Sequence, residues 1–213
     1  MRANAELRMV DGSENRTIFL GMDQFRDELL YSSVKGKNPL KDKRVRQALY
    51  QAIDINAIQT TVMRKMSVPT GTMIAPMVNG WTKDLEARAS KYSTEAAKKL
   101  LAEAGYPDGF ELTLDCPNDR YVNDEAICQA VTAMWTRAGV KTRLSTQPMA
   151  TYTTKIQKYD TSVYMLGWGV ATMDALYSLD SLISTPVAGG ASGNYNLGRY
   201  SNKDVDGLIA QIK

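Results

Sequence analysis

The sequence predicts an α/β fold in which neighbouring strands run at least partly parallel and helices form the crossovers. Three observations carry that prediction. From residue 93 to residue 166, helix and strand patterns alternate as α-β-α-β-α-β, the order that builds right-handed crossover units. At Asn38-Pro39 the hydrophobic period changes from two to about 3.6 residues. The stretch 159–183 runs from a strand at 161–166 through Gly167-Trp168-Gly169 into a loop that ends at Asp174, before a helical run. A Gly-flanked Trp and a carboxylate just past a strand end mark a place where α/β proteins meet ligands. The same residues allow a structural reading, with Trp168 filling core and Asp174 capping the next helix.

The elements follow in order. Ala5, Leu7 and Met9 alternate with charged residues, and Ile18, Leu20 and Met22 alternate again after the turn signal Asp11-Gly12-Ser13, which predicts a β-hairpin over 5–22. Beyond Asn38-Pro39, Val45, Ala48, Leu49, Ala52 and Ile53 form one stripe of an amphipathic helix, with Asp42 at its N-terminal end. Lys41, Lys43, Arg44 and Arg46 lie off the stripe and read as a solvated face rather than a phosphate or nucleic-acid site. Asn56 and Gln59 have capping-box spacing for a second helix carrying Ile58, Val62 and Met63 inward. Residues 67–92 show no sustained period and read as a long ordered loop, with Trp81 as its anchor or as a pocket wall.

Ser93 caps a helix over 94–104, with Ala97, Leu100, Leu101 and Ala104 inward and Glu95 and Lys99 spaced as an i,i+4 pair. Gly105 stops it. Phe110, Leu112 and Leu114 alternate as a strand. Asn123 or Asp124 opens a helix with Ile127, Val131, Met134, Trp135 and Ala138 inward, and Gly139 ends it. Val140, Thr142 and Leu144 start another strand, and a shorter helix falls near 151–158. After residue 183 the glycines at 189, 190 and 193 lack the lysine and spacing of a phosphate-binding loop and read as a flexible loop. Residues 195–200 read as a short extended segment, and a final helix carries Val205, Leu208, Ile209 and Ile212. The chain ends inside that pattern, which suggests a piece of a longer protein.

Composition sets limits on function. The 213 residues allow one large domain or two small ones. A net charge of +3, from 26 basic and 23 acidic residues, is too balanced to predict nucleic-acid binding. There is no histidine, which removes the commonest general base and the commonest transition-metal ligand. Two cysteines alone cannot make a four-ligand zinc site. No catalytic residue, metal site or cofactor is therefore predicted, although carboxylate chemistry at Asp174 keeps a hydrolase as the alternative. No apolar run approaches the ~20 residues of a membrane span, and the first residues carry no apolar signal-peptide core.

Four segments carry a resemblance: NPLKDKRVRQALYQAID, STEAAKKLLAEAGYPDGFELTL, YDTSVYMLGWGVATMDA and NYNLGRYSNKDVDGLI, in this order. Together they strongly resemble the oligopeptide/dipeptide-type solute-binding proteins of ABC importers, the extracellular family 5 group. The resemblance implies a periplasmic-binding-protein-like lobe (type II, cluster C), a mixed, mostly parallel sheet flanked by helices. It implies that 38–213 form a truncated C-terminal lobe and 1–37 a crossover hairpin and connecting segment. It further implies binding of a peptide or similar small solute between two lobes, with the N-terminal lobe missing here and a membrane permease as partner. Location would be the periplasm, or the cell surface through a membrane anchor. An isolated lobe of this kind is expected to self-associate.

The resemblance also bears on single residues. In this family the loop after the last central strand faces the cleft, and peptide-binding members use an aspartate there for the ligand's α-amino group. Asp174 is the one acid in GWGVATMDA, although Ala175 stands where the family usually has proline. Trp168, between Gly167 and Gly169, would wall the cleft. Asn118, Arg120 and Tyr121, with Asp119 among them, follow the strand ending at Leu114 and either line the same cleft or form an ordinary turn. In the oxidising compartment of an exported protein, Cys116 and Cys128 can form a disulfide if their Cα atoms come within about 7 Å.

Overall fold

The computed structural model describes residues 10, 12–87 and 91–213. The strand expected over 5–10 lies outside the described residues apart from Val10. Its expected partner, Arg16–Met22, is strand β1. Strands β2 (Phe110–Pro117), β3 (Val140–Gln147) and β4 (Val163–Gly169) complete one sheet, in the order β1-β4-β2-β3. β2 runs parallel to both β3 and β4, and β1 pairs antiparallel with β4. The predicted mixed, mostly parallel sheet is present.

Both faces of the sheet are covered. Helix α4 (Asp124–Arg137) links β2 to β3, and α5 (Met149–Gln157) links β3 to β4. The side chains of β4 alternate between them. Val163 and Met165 join the α4 residues Val131 and Trp135 in the main core. Tyr164 and Leu166 join Tyr152 and Ile156 of α5 in a second cluster. The chain thus leaves β2 along one face and returns beside it along the other. The carboxyl ends of β2 and β4, between which the connections diverge, are the edge at which an open α/β sheet receives ligands.

The main core is extended by α1 (Lys43–Gln51) and α3 (Thr94–Glu103). Val45, Ala48, Leu49 and Ala52 are buried, as their spacing requires. Asp42 caps α1 by accepting the Arg44 N–H, and Ser93 caps α3 by accepting the Ala96 N–H. Trp135 is fully buried, and its indole Nε1–H donates to the Leu49 carbonyl at 2.9 Å. That bond satisfies the one polar atom of the largest core side chain.

Several local expectations are corrected. The second helix is a single turn, α2 (Ile55–Ala57), followed by a π turn, Ile58–Val62. Its cap is Asp54, which accepts the Ala57 N–H, while Gln59 donates to the Ser67 carbonyl. A carboxylate two residues earlier reaches the free N–H groups first and suits the helix dipole. Glu95 pairs with Lys98 at 3.7 Å, and Lys99 with Glu103 at 3.9 Å. Residues 195–200 form turns rather than an extended segment, because the buried Asn196 side chain donates to the carbonyls of Ser184 and Tyr200. The closing helix α7 (Lys203–Gln211) buries Ile209 but leaves Leu208 and Ile212 exposed.

Cys116 at the end of β2 and Cys128 in α4 are joined by a disulfide, with Cα atoms 6.7 Å apart. Both are fully buried. Closing a loop between positions 12 apart constrains the unfolded chain. Denaturation by urea with reductant present is expected to lower the unfolding free energy by about 2–4 kcal/mol relative to the oxidised protein. Coincident transitions in the two conditions would show that the bond contributes nothing.

Candidate functional site

The site is assembled from three segments at the carboxyl ends of β2 and β4. The first is the end of β4 itself. Gly167-Trp168-Gly169 was expected to break the strand, but β4 continues through all three. Gly169 pairs with Arg16, Trp168 with Thr17 and Gly167 with Ile18. The glycines make room rather than a turn. A Cβ on Gly167 would lie 2.6 Å from Tyr121 Cε1 and 2.7 Å from Ile18 Cδ1, and one on Gly169 would lie 3.0 Å from Asn15 Oδ1. A strand crossed this closely by a ring admits only glycine.

The second segment is the turn after β2. Tyr121 comes to β4, and its hydroxyl oxygen accepts the Gly167 N–H at 2.9 Å. The buried carboxylate of Asp124 holds the turn by accepting the N–H groups of Arg120 and Tyr121, both at 2.9 Å. The guanidinium carbons of Arg120 and Arg16 lie 5.3 Å and 5.8 Å from the centre of the Tyr121 ring. Arg120 is exposed, whereas Arg16 pairs with Glu14 at 3.0 Å. Asn118 is exposed and continues the ladder toward β3, its N–H donating to the Gln147 carbonyl. Asp119 accepts the Met149 N–H at the start of α5. Within the turn, then, Tyr121 meets the end of β4 with Arg120 over its ring, and Asn118 and Asp119 bond to β3 and α5.

The third segment follows β4. Asp174 caps α6 (Ala175–Leu182), with one carboxylate oxygen accepting the Leu176 N–H and the other the Asn79 side-chain amide, each at 2.8 Å. Two backbone bonds fasten Asn79 beside it, from Asn79 N–H to the Met173 carbonyl and from Ala175 N–H to the Asn79 carbonyl, both at 2.9 Å. These donors, the Asn79 amide first, hold the Asp174 carboxyl below the usual carboxylate range. The long segment is thereby fastened to the end of β4, and Ile74, Ala75 and Val78 pack against Trp168 and Val170. Trp81 anchors that segment, its Nε1–H donating to Glu86.

Trp168 is buried, and its Nε1 has no hydrogen-bond partner among the described residues. Its ring stacks on Tyr177 of α6 at 5.4 Å with an interplanar angle of 20°, and Tyr195 leans on it at 4.9 Å. Both tyrosines are exposed at their outer edges. The three rings make a continuous aromatic surface between core and solvent. Sequence reasoning missed Tyr177, Tyr195, Arg16 and Asn79. Tyr177 was legible, three residues beyond a capping Asp. Tyr195 sits in a segment whose glycines read as flexible.

The fold is one that solved bacterial solute-binding proteins share. A dipeptide-binding protein from Pseudoalteromonas sp. SM9913, solved in complex with Met-Leu, superposes with a TM-score of 0.79 at 18% identity, covering 98% of this chain and 39% of that one. The chain belongs to the bacterial extracellular solute-binding proteins of family 5, whose profile, described as "family 5 Middle", matches residues 1–190. It is 30% identical over 179 residues to heme-binding protein A of Haemophilus influenzae, covering 81% of this chain and 31% of that protein. It is 32% identical over 135 residues to the dipeptide-binding protein of Escherichia coli K12, covering 62% of this chain and 25% of that protein. The chain thus spans less than a third of the length of these two relatives. The members of this family are binding proteins.

The cap has a pH signature. Because the folded-state pKa of Asp174 is depressed, its stabilisation is fully present above the unfolded value of about 3.9 and is lost as pH falls through the folded value. Asp174→Ala is expected to lower the melting temperature at neutral pH, with the gap closing below about pH 3.9. A gap of constant size down to pH 2 would rule out the ionised carboxylate as its source.

Proposed function

We propose that this chain is the C-terminal lobe of an ABC-importer solute-binding protein and forms one jaw of a cleft that closes on a peptide or similar small solute. Residues 38–213 constitute the lobe, and 1–37 carry the crossover to an N-terminal lobe. The protein works outside the cytoplasmic membrane, in the periplasm or anchored at the cell surface, and delivers its solute to a membrane permease. The exposed apolar side chains of Leu208 on α7 and of Ile212 just after it make the isolated lobe prone to self-association.

One observation carries this reading. At the end of β4, Trp168 stacks on Tyr177, three residues beyond the capping Asp174, and meets Tyr195, and Arg120 stands over Tyr121, which bonds that same strand end. An apolar wall flanked by an anion and a cation suits a zwitterionic solute. Asp174 accepts two hydrogen bonds where a carboxylate can take about four. Its unused lone pairs are available to a solute ammonium, and charge-assisted bonds strengthen once a second lobe excludes water. Of the relatives, the dipeptide-binding protein is named for a solute of this kind, and heme-binding protein A for one without an ammonium. The hydrolase alternative gains nothing from this site. The partners of Asp174 are one side-chain amide and one backbone N–H, with no second carboxylate among them.

The test is isothermal titration of the full-length polypeptide with dipeptides, N-acetylated dipeptides and heme. Stoichiometric binding without turnover is expected. If dipeptides are the solute, Asp174→Ala weakens them about tenfold or more, with little effect on acetylated ones, and Trp168→Ala weakens both. Hydrolysis at catalytic protein concentrations would overturn the binding role. Equal affinities for parent and Asp174→Ala would remove Asp174 from the site.

A further inference from the structure

The basic run 41–46 does not remain one solvated face. Arg44 turns to the Asp42 carboxylate and the Glu103 carbonyl. Lys41 and Arg46 instead join Arg199, from a segment more than 150 residues later, around a cavity of about 350 Å³. Phe25, Tyr200 and Ser201 complete most of its lining, and no carboxylate lines it. The cavity lies where β4 begins, since the Asp23 N–H donates to the Ser162 carbonyl and the Gln24 N–H to the Gly198 carbonyl. The aromatic site lies where β4 ends, about 20 Å away along a seven-residue strand.

The two arginines are held in place without a carboxylate in salt-bridge contact among the described residues. Arg199 has a left-handed backbone, with φ at 53°. Its N–H donates to the Asn196 carbonyl, and the next N–H, of Tyr200, donates to the Asn196 side chain. Such a conformation persists in a non-glycine residue only where the surroundings determine it. The Arg199 guanidinium carbon lies 3.8 Å from the centre of the Tyr159 ring and 4.6 Å from that of Phe25. Stacking of this kind leaves the N–H donors free in the guanidinium plane, where an oxyanion can take two at once. Arg46 is half-buried and donates from Nη1 to the carbonyls of Leu40 and Lys41. Burial pushes its pKa below the usual arginine value, and the charge of Asp42 only partly opposes this. Neither guanidinium has a carboxylate partner among the described residues. Lys41 pairs only with Asp27, whose side chain is fully exposed, and such a pair is weak.

We propose that this cavity is an anion site in which Arg46 and Arg199, assisted by Lys41, take a carboxylate or phosphate group. Cations gathered in a concavity repel one another, and partly desolvated ones have lost hydration. An oxyanion with its acceptor lone pairs relieves both costs. The site is separate from the solute cleft, and its existence does not rest on the solute-binding reading.

The test is an NMR titration of the ¹⁵N-labelled chain with inorganic phosphate, and separately with acetate, at ionic strength held constant with sodium chloride. The expected result is one saturating curve shared by the Arg46 and Arg199 Nε–H signals and the amides of Gln24 and Ser201. Saturation with either anion supports the site and tells which oxyanion it prefers. Arg46→Gln and Arg199→Gln should each weaken that anion about tenfold or more. Should either variant lose the parent's spectrum, Lys41→Gln, at an exposed position, should still weaken binding about threefold. Unsaturated shifts spread over all lysines and arginines with both anions would overturn the proposal, as would an unchanged dissociation constant in every folded variant.

Discussion

Strand β4 has a hydrogen-bonded neighbour on each side, and its two faces are covered by different helices. The elements beside it are arranged around satisfying that strand. β1 crosses antiparallel to close its outer edge along all seven residues. β2 meets it only at Leu114 and Asp115, and beyond that register Tyr121 supplies the acceptor for the Gly167 N–H. A buried N–H left without a partner costs about 1–3 kcal/mol. The turn after β2 is therefore drawn to the end of β4 by hydrogen-bond demand, and the two candidate binding segments become neighbours for a structural reason.

The other end of β4 is fixed by charge. Asp115 is fully buried, and one of its carboxylate oxygens accepts from Lys155 Nζ at 3.1 Å and from the Thr161 hydroxyl at 2.7 Å. Tyr152 donates toward the carbonyls of both Asp115 and Met165, and burial pushes its phenol well above the usual range. Buried charge is tolerated only where it is paired and hydrogen-bonded. This cluster pins α5 across β2 and β4.

Ala175 acquires a meaning that the family pattern does not suggest. Proline is tolerated at the first position of a helix because no intrahelical partner needs its N–H. Here that N–H donates to the Asn79 carbonyl and closes an isolated parallel bridge with the long segment. A proline would lose this bond, and with it part of the fastening that orients Asn79 toward Asp174. The departure from the pattern is tied to how this chain anchors its own loop.

By itself the sequence determined the class of fold, the order of its elements, the stripes of α1, α3 and α4, the caps Asp42 and Ser93, and the candidate segments at 118–121 and 167–174. These are local properties, written in period, capping residues and short motifs. Tertiary structure alone decided that Gly167-Trp168-Gly169 stays in the strand, because its reach depends on β1 arriving from far away in the chain. It also decided that Trp168 meets Tyr177 and Tyr195, and that Arg46 shares a cavity with Arg199. It made Asp174 the cap of α6 and buried Trp168. Contacts between residues distant in sequence leave no periodic trace, so packing had to assign them.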